Sequence, residues 1–340
     1  MKKVYLVLGA LLIVAVGVLL ILNSSIPDHY GNPQYSLKRK YFFNHQDRYN
    51  TVFLGSSRSF RNLNPKIFDN LQEGSTQSFN LGTVGTRNPE MYFLAERFIE
   101  ELDSGKLKYL FIEMLPLFTE FTTHEDARYT YYLDEAEVDF VGQYLAHTNM
   151  EDANPKTILA NYQQASDNRL GGLGRLWYHL TAKKTTPMDS SWRKTNGFTP
   201  LVNLTEGKNP NRVHTMEKLT EYVDAKRKIA VGQMGSHSDS AYTNNEAFSQ
   251  RLLAIIEQAE RKGTQVVYWI SPHSDYRDLY ITQDQLPAGH VMDMSNPFRY
   301  EDFYKPGLMF DNGHFNEPGA VVFSRQFSLT FKTDVLPLLQ

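Results

Sequence analysis

The feature that most constrains this chain is an uninterrupted apolar run close to its N-terminus. The 19 residues from Val4 to Leu22 contain no charged side chain. At about 1.5 Å of rise per residue, a helix of this length just crosses the ~30 Å hydrocarbon layer of a membrane. The run therefore predicts either a membrane span or a secretory signal.

The residues that flank the run favour an uncleaved anchor at 1–22. A cleaved signal has a shorter apolar stretch that ends in small residues, whereas this run leads directly into the polar residues 23–25. Lys2 and Lys3 favour a cytoplasmic N-terminus, while the basic residues 38–40 favour the opposite orientation. Charge alone thus gives limited support to one orientation.

The overall composition is that of an ordinary folded protein, with 41% hydrophobic and 21% charged residues. The 35 basic side chains are balanced by 38 acidic ones, which argues against a nucleic-acid-binding protein. The chain has no cysteine, so a disulfide scaffold, a cysteine-ligated zinc site and a thiol nucleophile are excluded. Zero cysteine is also compatible with an oxidising compartment.

Beyond the anchor, residues 23–48 lack periodicity and are predicted to form a stalk, followed by a folded domain over 49–340. Short apolar strands alternate with amphipathic helices in this domain, which predicts a parallel sheet with helices on both faces and hence the α/β class. The predicted strands are 51–54, 77–80, 109–115 and 266–270. The predicted helices run from Asn88 as N-cap to Gly105, from a capping box at Thr243 and Glu246 to Gly263, and onward from about Pro318.

The alternation of strands and helices is broken between about 119 and 242. We expect an inserted subdomain or lid there, because the sheet pattern resumes after it. This segment is rich in tyrosine and contains Trp177 and Trp192. Such side chains suit stacking on sugar rings or burial against another protein, while the simpler alternative is core packing.

Three segments with reactive side chains follow predicted strands or precede the last helix. Ligands of parallel α/β sheets bind at the carboxyl ends of the strands. The segment Gly55-Ser56-Ser57-Arg58 permits a sharp turn that exposes a hydroxyl. Most Gly-Ser pairs after strands, however, are turns without a catalytic role. The glycines of 80–85 permit inward N–H groups that stabilise an oxyanion, although this pattern is also common. His314 can supply a base, and Asp311, three residues before it, can supply the acceptor that fixes the tautomer of the imidazole.

Two other histidines are alternative metal ligands. His237 and His273 lie in polar loops near aspartates, but neither belongs to a clear cluster of ligands. Ordinary loop histidines are the simpler interpretation. We therefore expect no metal and no cofactor.

The order of the three segments resembles the SGNH (GDSL-like) hydrolase superfamily, and the resemblance spans almost the whole soluble body apart from the insertion. It implies a three-layer, flavodoxin-like domain. It also implies that Ser57 is the nucleophile, His314 the base and Asp311 the acid of a catalytic triad. The N–H groups of Ser57 and Gly85 correspond to the oxyanion hole of that family.

The sequence departs from the family pattern at two places. Ser56 stands where the family has aspartate, and Met114 to Leu117 replaces the expected Gly-x-Asn-Asp motif. The asparagine would be a third oxyanion donor, and loss of one donor can cost roughly 3–4 kcal/mol in the transition state. The site is therefore slow, served by another donor, or completed by a partner or substrate.

With these departures, the anchor and the insertion, the chain resembles the divergent envelope branch of the superfamily. This branch includes the D-alanine transfer protein of teichoic acid modification and the alginate O-acetylation proteins. The resemblance implies an acyl (O-acetyl) transferase or esterase acting on an envelope polysaccharide, beside a membrane-bound O-acyltransferase. It places the body on the periplasmic or extracellular side of the cytoplasmic membrane, in agreement with Lys2 and Lys3. The alternative is a non-catalytic scaffold of the same fold, which the missing asparagine favours.

Overall fold

The computed structural model contains a five-stranded sheet within the residues it describes, and every pairing in this sheet is parallel. This arrangement confirms the predicted α/β class. The strands are β1 (Thr51–Leu54), β2 (Ser78–Asn80), β3 (Tyr109–Glu113), β4 (Gln265–Ile270) and β5 (Val291–Asp293). The structure describes residues 2–26, 29–120, 131–147, 154–167, 176, 190–202, 215–235, 245–273 and 285–339.

The helices flank the sheet or precede it. They are α1 (Lys2–Ser24), α2 (Pro33–Phe43), α3 (Ser57–Asn62), α4 (Pro65–Leu71), α5 (Glu90–Glu101), α6 (Glu135–Ala146), α7 (Pro155–Asp167), α8 (Met216–Gly235), α9 (Glu246–Glu260) and α10 (Glu317–Thr330). Short 3-10 turns occupy Gln46–Arg48, Ser191–Thr195, Glu301–Tyr304, Pro306–Leu308 and Leu336–Leu338, and a π-helical turn occupies Phe331–Val335.

The sheet is the middle of three layers. Successive side chains of a strand point to opposite faces. Val52 and Leu54 of β1 pack with apolar residues of α2, α5, α6, α7 and α9 on one face. Phe53 packs with α4, α8 and α10 on the other. Because both faces are covered, the central strands consist of nearly continuous apolar residues.

The strand order is β2-β1-β3-β4-β5, so the direction of winding reverses between β1 and β3. In doubly wound sheets, ligands bind in the crevice at such a reversal, beyond the carboxyl ends of the strands. The loops that follow β1, β2 and β3 all lie at this edge. Candidate functional residues on these loops are thus brought close together by the topology.

Helix α1 is long and apolar enough to cross a membrane. Its mean hydropathy is 3.0 and none of its residues is buried against the rest of the chain. A helix that is apolar on all sides and unpacked is typical of a membrane span or a signal.

The predicted stalk is wrong in its central part, because residues 33–43 form α2 and pack into the core. Tyr35, Lys38 and Phe42 of this helix are buried. The aromatic residues follow helical spacing, but the lysine between them hides the apolar pattern in the sequence. Asn32 caps the helix, since its side chain accepts a hydrogen bond from the N–H of Tyr35 at 3.0 Å. The folded body therefore begins before residue 49.

Two helix starts also differ from their predictions. Asn88 does not cap α5, because its amide nitrogen instead donates to the carbonyl of Leu115 at 3.0 Å. Asn245 caps α9, accepting from the N–H of Phe248 at 3.1 Å, while Thr243 lies outside the described residues.

The strand β5 was not predicted, since only the middle residue of its three is fully buried.

Described parts of the predicted insertion join the main core. Residues of α6 and α7 belong to the same buried cluster as the sheet. The carbonyl of Asn196 accepts from the N–H of Asn80 at 2.8 Å and so covers the edge strand β2. Trp192 is only 2% exposed and packs edge-on against Tyr41 and Phe79. The expected sugar-stacking role is wrong for Trp192, because its ring is core, and Trp177 lies outside the described residues.

Candidate active site

Ser57 lies at the sharp turn between β1 and α3. A side chain on Gly55 would put its Cβ 2.4 Å from the Cβ of Ser59, so the turn requires glycine there. Ser56 is the N-cap of α3, and its hydroxyl accepts a hydrogen bond from the N–H of Arg58 at 3.2 Å. This turn leaves Ser57 as the first residue of the helix, partly exposed at the carboxyl edge of the sheet.

Asp311 and His314 lie on a tight turn just before α10. One carboxylate oxygen of Asp311 accepts from the N–H groups of Gly313 at 2.9 Å and His314 at 2.8 Å. The N–H of Phe310 donates to the carbonyl of His314 at 2.8 Å, which closes the turn. The spacing of three residues therefore fixes both the backbone and the carboxylate of Asp311.

The structure brings Ser57, His314 and Asp311 into one hydrogen-bonded chain. The Nε2 atom of His314 lies 2.8 Å from the Ser57 Oγ, and its Nδ1 atom lies 2.8 and 3.0 Å from the two carboxylate oxygens of Asp311. An ionised carboxylate only accepts, so Nδ1 carries the proton and Nε2 is free to accept from the serine hydroxyl. This is the geometry of a Ser-His-Asp triad, and the catalytic roles stay predictions.

The electrostatics favour an ionised Asp311. Burial alone would raise the pKa of Asp311, but hydrogen bonds from the His314 ring and from the N–H groups of Gly313 and His314 hold this pKa below its usual value. The carboxylate is thus available to orient the imidazole and to stabilise its protonated form.

Two further hydrogen bonds join α3, which begins with Ser57, to the segment that carries His314. The N–H of Phe315, next to His314, donates to the side-chain oxygen of Asn62 at 3.2 Å. The hydroxyl of Ser324 on α10 donates to the carbonyl of Asn62 at 2.9 Å. The end of α3 is therefore fixed to the turn that carries His314.

The predicted oxyanion donors are the N–H groups of Ser57 and Gly85. Gly85 has a left-handed φ of +76°, and a Cβ added there would meet no atom within 4 Å, so its surroundings are open. Neither N–H donates a hydrogen bond to an atom of the described residues. Both donors remain available to a ligand, which is what an oxyanion hole requires.

A buried carboxylate that the sequence analysis missed lies directly behind Ser57. Glu113 is fully buried at the end of β3 and accepts from the N–H of Ser56 at 2.7 Å, from its hydroxyl at 2.8 Å and from Nε of Arg58 at 2.7 Å. It therefore holds the residues on either side of Ser57. The available signal was a single acidic residue at the end of an otherwise apolar strand.

Helix α2 holds the loop that carries Gly85. The Nζ of Lys38 donates to the carbonyl of Gly82 at 2.5 Å and lies 4.3 Å from the centre of the Phe60 ring. The side-chain oxygen of Gln34 accepts from the N–H of Val84 at 2.9 Å. Burial, with a smaller effect of the Arg61 charge, lowers the pKa of Lys38 well below its usual value.

The histidines considered as metal ligands do not form a site within the described residues. His273 is buried, with Nε2 2.8 Å from the carbonyl oxygen of Phe303 and its ring against Tyr304 and Phe315. Burial lowers its pKa to about 4, so its ring is neutral at pH 7. No group of three His, Cys, Asp or Glu side chains suited to a metal occurs in the described part of the chain, and His237 lies outside it.

No protein-family model and no curated protein matches this chain.

Proposed function

We propose that this protein is a membrane-anchored serine acyltransferase or esterase of the SGNH type, acting on a cell-envelope polysaccharide. The observation that carries the proposal is the hydrogen-bonded chain from Asp311 through His314 to Ser57, assembled from segments 257 residues apart. A solvent-accessible serine joined to an oriented imidazole is the arrangement that activates a hydroxyl for nucleophilic attack.

The proposed reaction has two steps. The Ser57 Oγ forms a bond to the acyl carbonyl carbon while its proton passes to Nε2 of His314, and the negative oxygen is stabilised by the N–H groups of Ser57 and Gly85. The protonated imidazole then gives its proton to the leaving alcohol. A sugar hydroxyl or water next attacks the acyl-serine, with His314 again taking the proton and Ser57 regaining it.

The setting of the reaction is proposed from α1 and the family resemblance together. An apolar helix at the N-terminus supports a single-pass anchor in the cytoplasmic membrane, and the envelope branch of the SGNH superfamily works on its outer side. This gives an envelope glycan as substrate and a membrane-bound O-acyltransferase as partner. Transfer, as opposed to hydrolysis, requires a bound sugar hydroxyl that excludes water from the acyl-serine.

A non-catalytic scaffold that recruits the acyltransferase is the second candidate. It is favoured by residues 114–117, which are apolar where the family has its third oxyanion donor. An unassisted hole with two N–H groups would leave catalysis weak.

A fluorophosphonate probe separates the two candidates, because it reacts only with an activated serine. We expect the full-length protein in detergent to be labelled, with the label mapped by peptide mass spectrometry to Ser57, and the folded Ser57→Ala variant to be unlabelled. The substitution removes one partly exposed oxygen, so the unfolding temperature should be unchanged. Absence of labelling in the folded wild-type protein would favour the scaffold.

A further inference from the structure

A cavity of about 270 Å³ lies at the same edge of the sheet as Ser57. Its walls come from the loops after three neighbouring strands: Arg58 after β1, Thr86 to Asn88 after β2, and residues 115–120 after β3. Its volume is close to the lower end of the range of about 300–1,000 Å³ for small-ligand sites. Arg58, which lines the cavity, is the residue that follows Ser57 in the chain.

Arg58 presents unused hydrogen-bond donors to this cavity. Its Nε donates to Glu113, and its side chain is 19% exposed. Within the described residues, its two terminal nitrogens donate no hydrogen bond. Glu113 thus fixes the plane of the guanidinium group while the outer edge of the fork remains open. A planar fork of this kind matches the two oxygens of a carboxylate or phosphate group.

Besides Arg58, the wall of the cavity is apolar at residues 115–118 and polar elsewhere. Leu115, Leu117 and Phe118 line it, and the guanidinium carbon of Arg87 lies 3.6 Å from the centre of the Phe118 ring. The one acidic residue on this wall is Glu120, which is exposed at the rim. An open cation beside an apolar and aromatic surface suits a sugar ring that carries an acidic group.

We propose that this cavity is an anion-binding subsite for the molecule that reacts at Ser57. The Arg58 guanidinium binds its carboxylate or phosphate group, and the ring that bears this group packs against Phe118 and Leu117. The substrate is therefore a glycan that carries an acidic group. The inference rests on the proposed function only for the identity of the reacting molecule, since the binding itself requires no acyl chemistry.

The test measures binding to the full-length Ser57→Ala protein in detergent, by calorimetry. The three probes are methyl glucuronoside for a carboxylate, glucose 1-phosphate for a phosphate, and methyl glucoside as the neutral ring. We expect at least one anionic probe to bind at least about tenfold more tightly than the neutral one. The neutral ring cannot form the charge-assisted hydrogen bonds that a carboxylate or phosphate accepts from the Arg58 guanidinium. Which anion binds more tightly identifies the source of the acidic group.

Three variants in the Ser57→Ala background assign the site. Arg58→Gln alone leaves Glu113 as an unpaired buried charge, so we combine it with Glu113→Gln. Thr119→Trp fills the cavity from its partly exposed wall and leaves the Arg58–Glu113 pair intact. Arg61→Gln on α3 is the matched control, because the Arg61 side chain donates to the carbonyl of Thr199 and does not line the cavity.

The double variant and Thr119→Trp should both weaken anion binding by about tenfold or more, and Arg61→Gln should leave it unchanged. Equal affinity for the neutral and anionic rings, or unchanged anion affinity in the folded double variant, would overturn the subsite. Loss of affinity in Arg61→Gln as large as in the double variant would also overturn it. Each result is independent of probe labelling at Ser57, which tests the proposed function separately.

Discussion

At the scale of single residues, Glu113 controls the surroundings of Ser57. It accepts hydrogen bonds from Ser56 and Arg58, the residues on either side of Ser57, and it is fully buried. A buried carboxylate with three donors is stable only while all of them remain. The position of the Ser57 hydroxyl therefore depends on β3 as well as on its own turn.

The roles of Asp311 and His314 predict unequal effects of mutation. His314→Ala removes the proposed base, and we expect labelling of Ser57 by a fluorophosphonate to slow by roughly a thousandfold or more. Asp311→Asn retains the imidazole but holds its tautomer less well, so its effect should be smaller. Labelling rates of folded variants provide the measurement. Small and equal effects of both changes would remove the triad from the mechanism.

The buried His273 predicts how stability depends on pH. Burial lowers the pKa of His273 in the folded protein to about 4 from its usual 6.5. Below pH 6.5 the unfolded chain therefore binds a proton that the folded chain does not. The free energy of unfolding should fall as pH drops from 6.5 towards 4, by up to roughly 3 kcal/mol. The effect of Asp311 comes at lower pH, because its own pKa lies below its usual value.

His273→Asn is the variant that isolates this effect. Residue 273 has a φ of +64°, a left-handed conformation that asparagine tolerates well, and asparagine does not titrate. Thermal unfolding of both proteins between pH 7 and 5 is the measurement. The wild-type protein should lose more stability than the variant over this interval, and parallel curves would contradict the assignment.

The sequence predicted which three residues form the hydrogen-bonded chain at the candidate site, but not the residues that hold them in place. Ser57, Asp311 and His314 follow from short local patterns, since each lies at a turn with recognisable spacing. Glu113 bonds to Ser56, which is 57 positions away in the chain, and Lys38 bonds to Gly82, which is 44 positions away. No local pattern predicts such contacts, because they depend on which strands become neighbours.

At the scale of elements, α2 is part of the candidate site. Lys38 and Gln34 bond to the loop 82–84, which precedes Gly85. Asn32 at the start of the helix donates to Thr83 at 3.3 Å. The segment that follows the apolar helix α1 thus holds the loop with the predicted oxyanion donor.

Lys38→Met tests this role. The substitution keeps the buried aliphatic stem and removes the hydrogen bond to Gly82. The carbonyl of Gly82 is then buried without a donor, which destabilises the native conformation of the loop by about 1–3 kcal/mol. We expect labelling of Ser57 to slow several-fold while the fold is retained. Lys40→Met is the matched control, because Lys40 is exposed on the same helix. Equal labelling rates in both variants would contradict the role of α2.

The predictability of the elements follows the same physical rule. The strands β1, β3 and β4 and the helices α5, α9 and α10 were predicted because their apolar residues recur at the spacing of one buried face. In α2, the buried Lys38 interrupts that spacing, and β5 is too short to display any. The contact between Asn196 and β2 was beyond prediction, since it joins residues that are far apart in the sequence.

At the scale of the whole molecule, the proposed function requires α1 to stay attached and the body to lie outside the cytoplasm. Alkaline phosphatase fused to the C-terminus of the full chain should be active in a Gram-negative host, because this enzyme folds only in an oxidising compartment. This expectation rests on Lys2 and Lys3, because basic residues beside an apolar span favour the cytoplasmic side of the membrane. An inactive, stably expressed fusion, or a mature N-terminus near Ser24, would contradict the topology.

The most direct test of the account is the detection of an acyl group on the nucleophile. The full-length protein is incubated with an activated acetyl ester, quenched in acid and digested for peptide mass spectrometry. We expect an acetyl group on Ser57 and none in the corresponding peptide of the folded Ser57→Ala protein. An acetyl group on Ser56 or Ser59 instead, or no adduct on a folded wild-type protein, would contradict the claim that Ser57 carries the acyl group.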